Sequence, residues 1–362
     1  MDKLVKLAIV GLGAVAKKHI NAILKFPHHL QLVAIVDSQA DTLSNYVNTL
    51  DVTGFTCLEE MLEKSDTDIV ILCTPSGLHA QQTMRCIESA RQVIVEKPMA
   101  LTWHEGLAMR EAADKAKVKL RIVHQHRVNP ALQLLKQTID AQRFGKIFQI
   151  NINVFWTRPQ AYYDAAPWRG SRDLDGGALM NQASHTVDWL HWLFGPIQAV
   201  QAIYATQARK IETEDSCVLN IRWKQGTLGS FNLSTLAYAR NLETSLTVLG
   251  EKGSVKLTGS AGNEIVHWEF ADQSANDSAI VAETNQKTAK FLEDTHYYYY
   301  ASLVDELENN TRILPDVTEG LKTLEILVAA QLAAEQAITV NLPLADAHQV
   351  CLIDNEKIES VE

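Results

Sequence analysis

The chain of 362 residues carries 33 basic and 43 acidic side chains, a formal net charge of −10, with 46% hydrophobic and 21% charged residues. That length suits two globular domains, and the composition excludes a disordered or fibrous chain. An acidic balance without a basic cluster excludes nucleic acid as a partner, and no apolar run is long enough to cross a bilayer.

An apolar run, Leu4 to Val10, feeds into Gly11-Leu12-Gly13-Ala14-Val15-Ala16. A helical pattern follows, then a second apolar run, Leu32 to Val36, ending in Asp37-Ser38. This is strand, glycine turn, helix, strand, acid. The glycines allow a tight turn and close approach of a pyrophosphate, whose charge the helix N-terminus receives. Asp37 stands where a carboxylate accepts both ribose hydroxyls of an adenosine and repels a 2′-phosphate, so NAD is expected rather than NADP. A lone G-x-G-x-x-A also occurs in turns that bind nothing. The βαβ context and the acid favour the dinucleotide.

Asp68–Cys73, Gln92–Val95 and Leu120–His124 read as further strands, with helices over Gly77–Ala90 and Thr102–Ala116. Such alternation predicts an α/β domain, residues 1–125, with a parallel sheet that binds NAD at its carboxyl edge. Residues 126–362 predict an α+β domain for substrate binding and oligomerisation. Its helices are Asn129–Asp140 and Asp175–Phe194, and its strands Lys146–Thr157, Ile197–Thr206, Ser216–Trp223, Leu228–Leu236, Ser245–Leu249, Ser254–Leu257 and Ile265–Phe270. Short turns between these strands imply a mainly antiparallel, open sheet. Residues 271–290, polar and short of large apolar groups, read as a loop. Helices Thr295–Asn309 and Asp316–Ala337 finish the pattern, the first opening on Tyr297–Tyr300 as packing residues. Val218, Leu219, Ile221 and Trp223 on an open sheet need cover, which predicts a homo-oligomer. Cys57, Cys73, Cys86, Cys217 and Cys351 lack paired spacing and fit free thiols in a reducing cytoplasm. The first residues already read as strand, so no signal peptide is expected. Among twelve histidines no metal-ligand spacing appears.

Three segments fall at predicted strand ends or helix starts. They are Thr74-Pro75-Ser76-Gly77-Leu78-His79, Glu96-Lys97-Pro98, and Gly176-Gly177 running to Asn181-Gln182-Ala183-Ser184-His185. Each has an ordinary structural explanation taken singly. Together with the glycine loop, in this order, they resemble the Gfo/Idh/MocA oxidoreductase family. The resemblance implies an N-terminal Rossmann fold and a C-terminal α/β domain. It also implies that Lys97 and His185 are the active-site pair and that Trp168-Arg169 contacts the cofactor. The family often places Asp-x-Gly-x-His in the helix. This chain has Asn181 in place of the aspartate, which removes the usual Asp–His relay. Asn153 to Gln160, Tyr162-Tyr163-Asp164, Trp168-Arg169-Gly170, Leu249 to Ser254 and Asn263 to Phe270 resemble one branch, the UDP-N-acetyl-D-glucosaminuronate dehydrogenases. These oxidise the sugar at carbon 3 for bacterial surface-polysaccharide synthesis. The branch implies a UDP-sugar substrate, with 2-oxoglutarate as a reoxidant of bound cofactor.

Oxidising a secondary alcohol needs a hydride acceptor and a base. His185 is the candidate base and Lys97 the stabiliser of alkoxide character, or the two roles exchange. Cofactor contacts are expected from Gly11 to Ala16, Asp37, Ser38, Thr74, Pro75, Ser76, His79, Glu96, Lys97, Gln125, Trp168 and Arg169. Substrate contacts are expected from Lys97, Gln125, Arg127, Arg158, Tyr163, Asn181, Gln182 and His185, with Arg172 as a further cation. Another sugar dehydrogenase, a non-catalytic NAD or sugar sensor, or an NAD-dependent glycoside hydrolase would use the same scaffold.

Overall fold

A computed structural model describes residues 4–309, 311 and 313–345; Cys351 lies outside them. Strands β1 (Val5–Val10), β2 (Leu30–Val36), β3 (Thr53–Phe55), β4 (Ile69–Leu72), β5 (Gln92–Val95) and β6 (Leu120–Ile122) form a parallel sheet in the order β3-β2-β1-β4-β5-β6. β1, β4 and β5 are central, and their continuous apolar runs are buried under helices. The crossovers carry α1 (Ala14–Ile23), α2 (Ala40–Val47), α3 (Leu58–Lys64), α4 (His79–Glu88) and α5 (Trp103–Ala116). Strand order reverses between β1 and β4, which opens a crevice above their carboxyl ends. α5 starts on a reciprocal cap: the Glu105 N–H donates to Thr102 Oγ1, and the Thr102 N–H to the Glu105 carboxylate.

The second sheet follows α6 (Pro130–Asp140), whose Asn129 cap accepts from the Ala131 N–H. In chain order come β7 (Ile147–Phe155), α7 (Gln160–Asp164), α8 (Ser184–Phe194), β8 (Ile197–Ala205), β9 (Ser216–Trp223), β10 (Leu228–Ser234), β11 (Glu243–Gly250), β12 (Gly253–Thr258) and β13 (Glu264–Phe270). Helices α9 (Asp277–Glu293), α10 (Thr295–Asn309) and α11 (Val317–Gln336) and strand β14 (Val340–Asn341) close the described chain. The order is β13-β12-β11-β7-β10-β9-β8-β14, antiparallel except for the parallel β7–β10 pair. One face packs on α8 and α11; the Trp223 indole N–H donates to the Leu190 carbonyl at 3.1 Å. On the other face Asn153 and Asn232, and Asn151 and Ser230, hydrogen-bond side chain to side chain.

The last two helices tie the sheets together. Tyr299, Tyr300 and Leu303 of α10 are fully buried against Leu7, Ile9 and Ile71 of the first sheet. Arg121 of β6 donates to Glu306 of α10 at 2.7 Å in a buried pair. α11 packs on α5, β6 and α8. Among the described residues no helix is long and apolar enough to cross a membrane.

Several expectations are corrected. Residues 271–290 are not a loop: α9 occupies most of them. It buries only Thr284, Thr288 and Phe291, so the large apolar stripe that signals a packed helix is missing. The Asn285 amide anchors it by bonding the backbone N–H and carbonyl of Ile265. The single helix expected over Asp175–Phe194 is a bend, a π-turn at Ala178–Gln182, and then α8. Gly176 (φ +77°) and Gly177 (φ +104°) interrupt it with left-handed backbone. Leu219, Ile221 and Trp223 do not face solvent: α8 and α11 cover them, and only Val218 of that set points outward. The short elements α2, β3, α3 and β14 carry too little periodic sequence to have been predicted.

Candidate active site

A cleft of about 940 Å³ runs along the carboxyl edge of the first sheet. Asp37 and Ser38 line one end, and Gly11, Leu12, Gly13, Ala14 and Val15 the middle. Thr74, Pro75, Ser76, His79, Glu96 and Lys97 line the other end, with Tyr162, Trp168, Arg169 and Asn181 of the second domain facing them. Ala16 is buried below the turn. Gly11 has φ +85°, and a Cβ there would lie 2.9 Å from Thr74 Cγ2; around Gly13 no atom lies within 4 Å of that position. No described side chain caps α1, so its first N–H groups are free for an anion. The Asp37 carboxylate accepts from the N–H groups of Leu12 and Gln39, each at 2.8 Å. These features fit a dinucleotide with its adenosine at Asp37 and its pyrophosphate at the glycine turn.

The two domains meet at the far end. Lys97 Nζ donates to the Asn181 carbonyl at 2.7 Å. The Asn181 amide donates to the buried Asp175 carboxylate, which also accepts the Gly170 N–H at 2.8 Å. Behind the π-turn, buried Glu214 accepts the Leu179 N–H at 2.7 Å, and a Cβ on Gly177 would collide with its carboxylate. The His185 ring stacks on His126 at 4.5 Å and meets His124 edge-on at 6.3 Å. The Nδ1 atoms of all three rings lack a hydrogen-bond partner among the described residues.

Burial depresses the Lys97 ammonium, and the charges of Glu96 and Asp175 oppose that. Burial also holds His185 well below its ordinary value, helped by His126, Lys97 and His124. Burial pushes His124 and His126 down to about 4. Burial raises Asp175. The corner therefore holds neutral imidazoles beside a lysine whose proton is unusually easy to remove.

Other expected site residues have different surroundings. Arg127 is held by two carboxylates: it donates to Asp188 at 2.7 and 2.8 Å and to Glu319 at 2.9 Å. Tyr163 is buried with its hydroxyl 3.4 Å from Thr235, and its neighbour Tyr162 lines the cleft instead. Tyr162 packs under Arg169, 4.3 Å from ring centre to guanidinium carbon, and accepts from Gln182 at 3.0 Å. Arg158 donates to Gln182 at 2.9 Å and lies over Trp156 and Tyr162. Gln125 is buried with an unpartnered Oε1. The His79 nitrogens face the carbonyls of Pro98 and Thr74 at 2.8 and 3.0 Å, so the ring joins the two loops. Arg172 contacts Glu335 at the surface. Asp175, Tyr162, His126 and Glu214 were not foreseen. The acid immediately before the Gly176-Gly177 pair was the available signal for Asp175; Glu214 is distant in sequence and had none.

Residues 5–124 match the model described as "Oxidoreductase family, NAD-binding Rossmann fold", and residues 136–342 match "Oxidoreductase family, C-terminal alpha/beta domain". The WlbA dehydrogenase from Bordetella pertussis, solved with NADH and UDP-GlcNAcA, is 42% identical, with a TM-score of 0.93 over 95% of this chain and 99% of that one. The WlbA dehydrogenase from Chromobacterium violaceum, solved with the same pair, is 45% identical, with a TM-score of 0.91 over 95% and 98%. Scyllo-inositol 2-dehydrogenase (NADP(+)) IolW of Bacillus subtilis is 24% identical over 93% of this chain and 96% of its own.

Burial pushes Glu214 up to about 7 from 4.5, so the folded protein binds its proton more tightly than the unfolded chain does. Its ionisation destabilises the fold progressively as pH rises through that window. Glu214→Gln should therefore gain stability over wild type as pH rises from 5 to 8, approaching about 3 kcal/mol at the upper end. Thermal melts of both proteins across that range check it; a constant difference would contradict it.

Proposed function

The chain belongs to the Gfo/Idh/MocA oxidoreductase family as an NAD-dependent enzyme, and we propose that it oxidises the C3 hydroxyl of UDP-N-acetylglucosaminuronate to the 3-keto sugar nucleotide. The reaction would serve bacterial surface-polysaccharide precursor synthesis. The observation that carries this reading is the hydrogen bond from Lys97 to the Asn181 carbonyl, which joins the NAD-domain lysine to the turn that leads into His185, whose ring feels the Lys97 charge. The likeness to the two WlbA dehydrogenases along almost the whole chain supports the substrate.

NAD supplies the hydride acceptor. Residues 1–125 hold it, and residues 126–362 hold the sugar nucleotide. Because His185 is a poor base in this surrounding and Lys97 is depressed toward working pH, Lys97 takes the hydroxyl proton as a neutral amine. The His185 imidazole hydrogen-bonds the same hydroxyl and orients it. This is the second of the two assignments the sequence left open. Arg158 and Gln182 receive the polar groups of the substrate, where a guanidinium suits a carboxylate or phosphate. A 2-oxo acid such as 2-oxoglutarate returns the cofactor to its oxidised form. Ile203, Val218 and Leu228 are exposed on the open sheet face, and a second copy of the chain covers them.

Mass spectrometry of protein incubated with UDP-N-acetylglucosaminuronate and 2-oxoglutarate should show a sugar nucleotide two mass units lighter; a released free sugar would indicate hydrolysis instead. Lys97→Ala and His185→Asn should each keep NAD bound and lose about 10²- to 10⁴-fold in turnover. In wild type kcat/KM should rise with pH to a plateau set by a group titrating below the ordinary lysine value. Near-normal turnover in either variant removes that residue from the proton transfer. Light scattering should return a mass at least twice that of one chain, and a monomer mass would refute the covered face.

A further inference from the structure

Beneath the far end of the cleft lies a cluster that the proposed reaction does not use. His19 Nε2 of α1 donates to Glu96 Oε1 at 2.9 Å, and His296 Nε2 of α10 lies 3.6 Å from the same oxygen. The Lys97 N–H donates to Glu96 Oε2 at 3.2 Å. His19 Nδ1 faces the Tyr300 hydroxyl at 2.8 Å, and in a neutral ring with its proton on Nε2 it accepts from that hydroxyl. The histidine rings are 4.7 Å apart, edge to face, and all three side chains are fully enclosed or nearly so. Burial alone would keep a proton on Glu96, but the two histidines hold it well below the usual carboxylate range. Burial keeps His19 from charging. The cluster thus presents a buried carboxylate that lines the cleft next to Lys97.

The position of this charge matters because of how the cleft is divided. Adenosine belongs at Asp37 and pyrophosphate at the α1 N-terminus, which leaves the ends of β4 and β5 for the nicotinamide. The oxidised ring carries one positive charge and the reduced ring none. We propose that the Glu96 carboxylate, fixed by His19 and His296, biases the site toward the oxidised cofactor by stabilising the cationic nicotinamide ring. This rests on the reading that places the nicotinamide beside Glu96 and Lys97. A fixed carboxylate near a cationic ring in a low-dielectric site changes affinity by about tenfold once water and Lys97 have screened it. Such a bias favours hydride delivery from bound NADH to a second substrate over release of NADH. His19 and His296 position the carboxylate and do not touch the reacting atoms.

The test is the dissociation constant of NAD⁺ and of NADH, measured by calorimetry or nicotinamide fluorescence on the full chain. Glu96→Gln should weaken NAD⁺ about tenfold and leave NADH within about twofold. Glu96→Asp retains the charge and should hold the ratio of the two constants near wild type. Equal weakening of both forms in Glu96→Gln, or a tenfold shift of the ratio in Glu96→Asp, makes the cluster structural and overturns the proposal. If Glu96→Gln and Lys97→Ala both leave both constants unchanged, the nicotinamide lies elsewhere, and the placement fails together with the inference.

Discussion

The hydrogen bond from Lys97 to the Asn181 carbonyl joins the end of a parallel strand in one domain to a π-turn in the other. Its geometry is set from both sides. β5 is buried at the centre of the first sheet and delivers Lys97 to its carboxyl edge. Gly176 and Gly177 bend the chain into the turn, while Asp175 and Glu214 hold the turn from its two sides. The domains approach closely enough for the Gly77 N–H to donate to the Leu174 carbonyl at 3.1 Å, and a Cβ on Gly77 would overlap the Asp173 backbone. A displacement of about 1 Å at such a corner can cost a hundredfold in rate, so this closeness is functional as well as structural.

The electrostatics of the corner come from enclosure. Three imidazoles with unpartnered Nδ1 atoms stay neutral because burial penalises their charged forms. Glu96 and Asp188 keep their charges because donors surround them, and burial without comparable donors raises Glu214. The same enclosure therefore separates groups that can exchange a proton near neutral pH from groups that cannot. Arg127 shows the distinction well: its guanidinium commits three of its N–H donors to Asp188 and Glu319 in the wall of the site.

The first domain was legible in the sequence because its strands are continuous apolar runs and its glycine turn opens a βαβ unit. β5 was read at its observed bounds, and α5 was read one residue long, at its Thr102 cap. Legibility fell where structure depends on partners distant in sequence. α9 looked like a loop because side-chain bonds from Asn285 replace an apolar stripe. The π-turn looked like helix because its residues have helical composition, and only the positive φ of two glycines ends the regular spiral before it. Lys97, His185, Asn181 and Gln182 were named from motifs. Asp175, His126 and Tyr162 become neighbours of the site only after folding. Tyr163 was chosen over Tyr162 because a five-residue helix gives too little pattern to tell its faces apart.

α10 follows the second sheet in sequence, yet it lies in the core of the first domain and brings His296 and Tyr300 to within reach of Glu96 and His19. The rear wall of the cleft is thus encoded two hundred residues after the strand it supports. A chimaera made by exchanging everything after β6 for the same region of a relative, to import a different sugar preference, would also replace that wall. Modular recombination at the apparent domain boundary would alter nicotinamide chemistry along with substrate choice, unless the segment carrying α10 were restored to its parent.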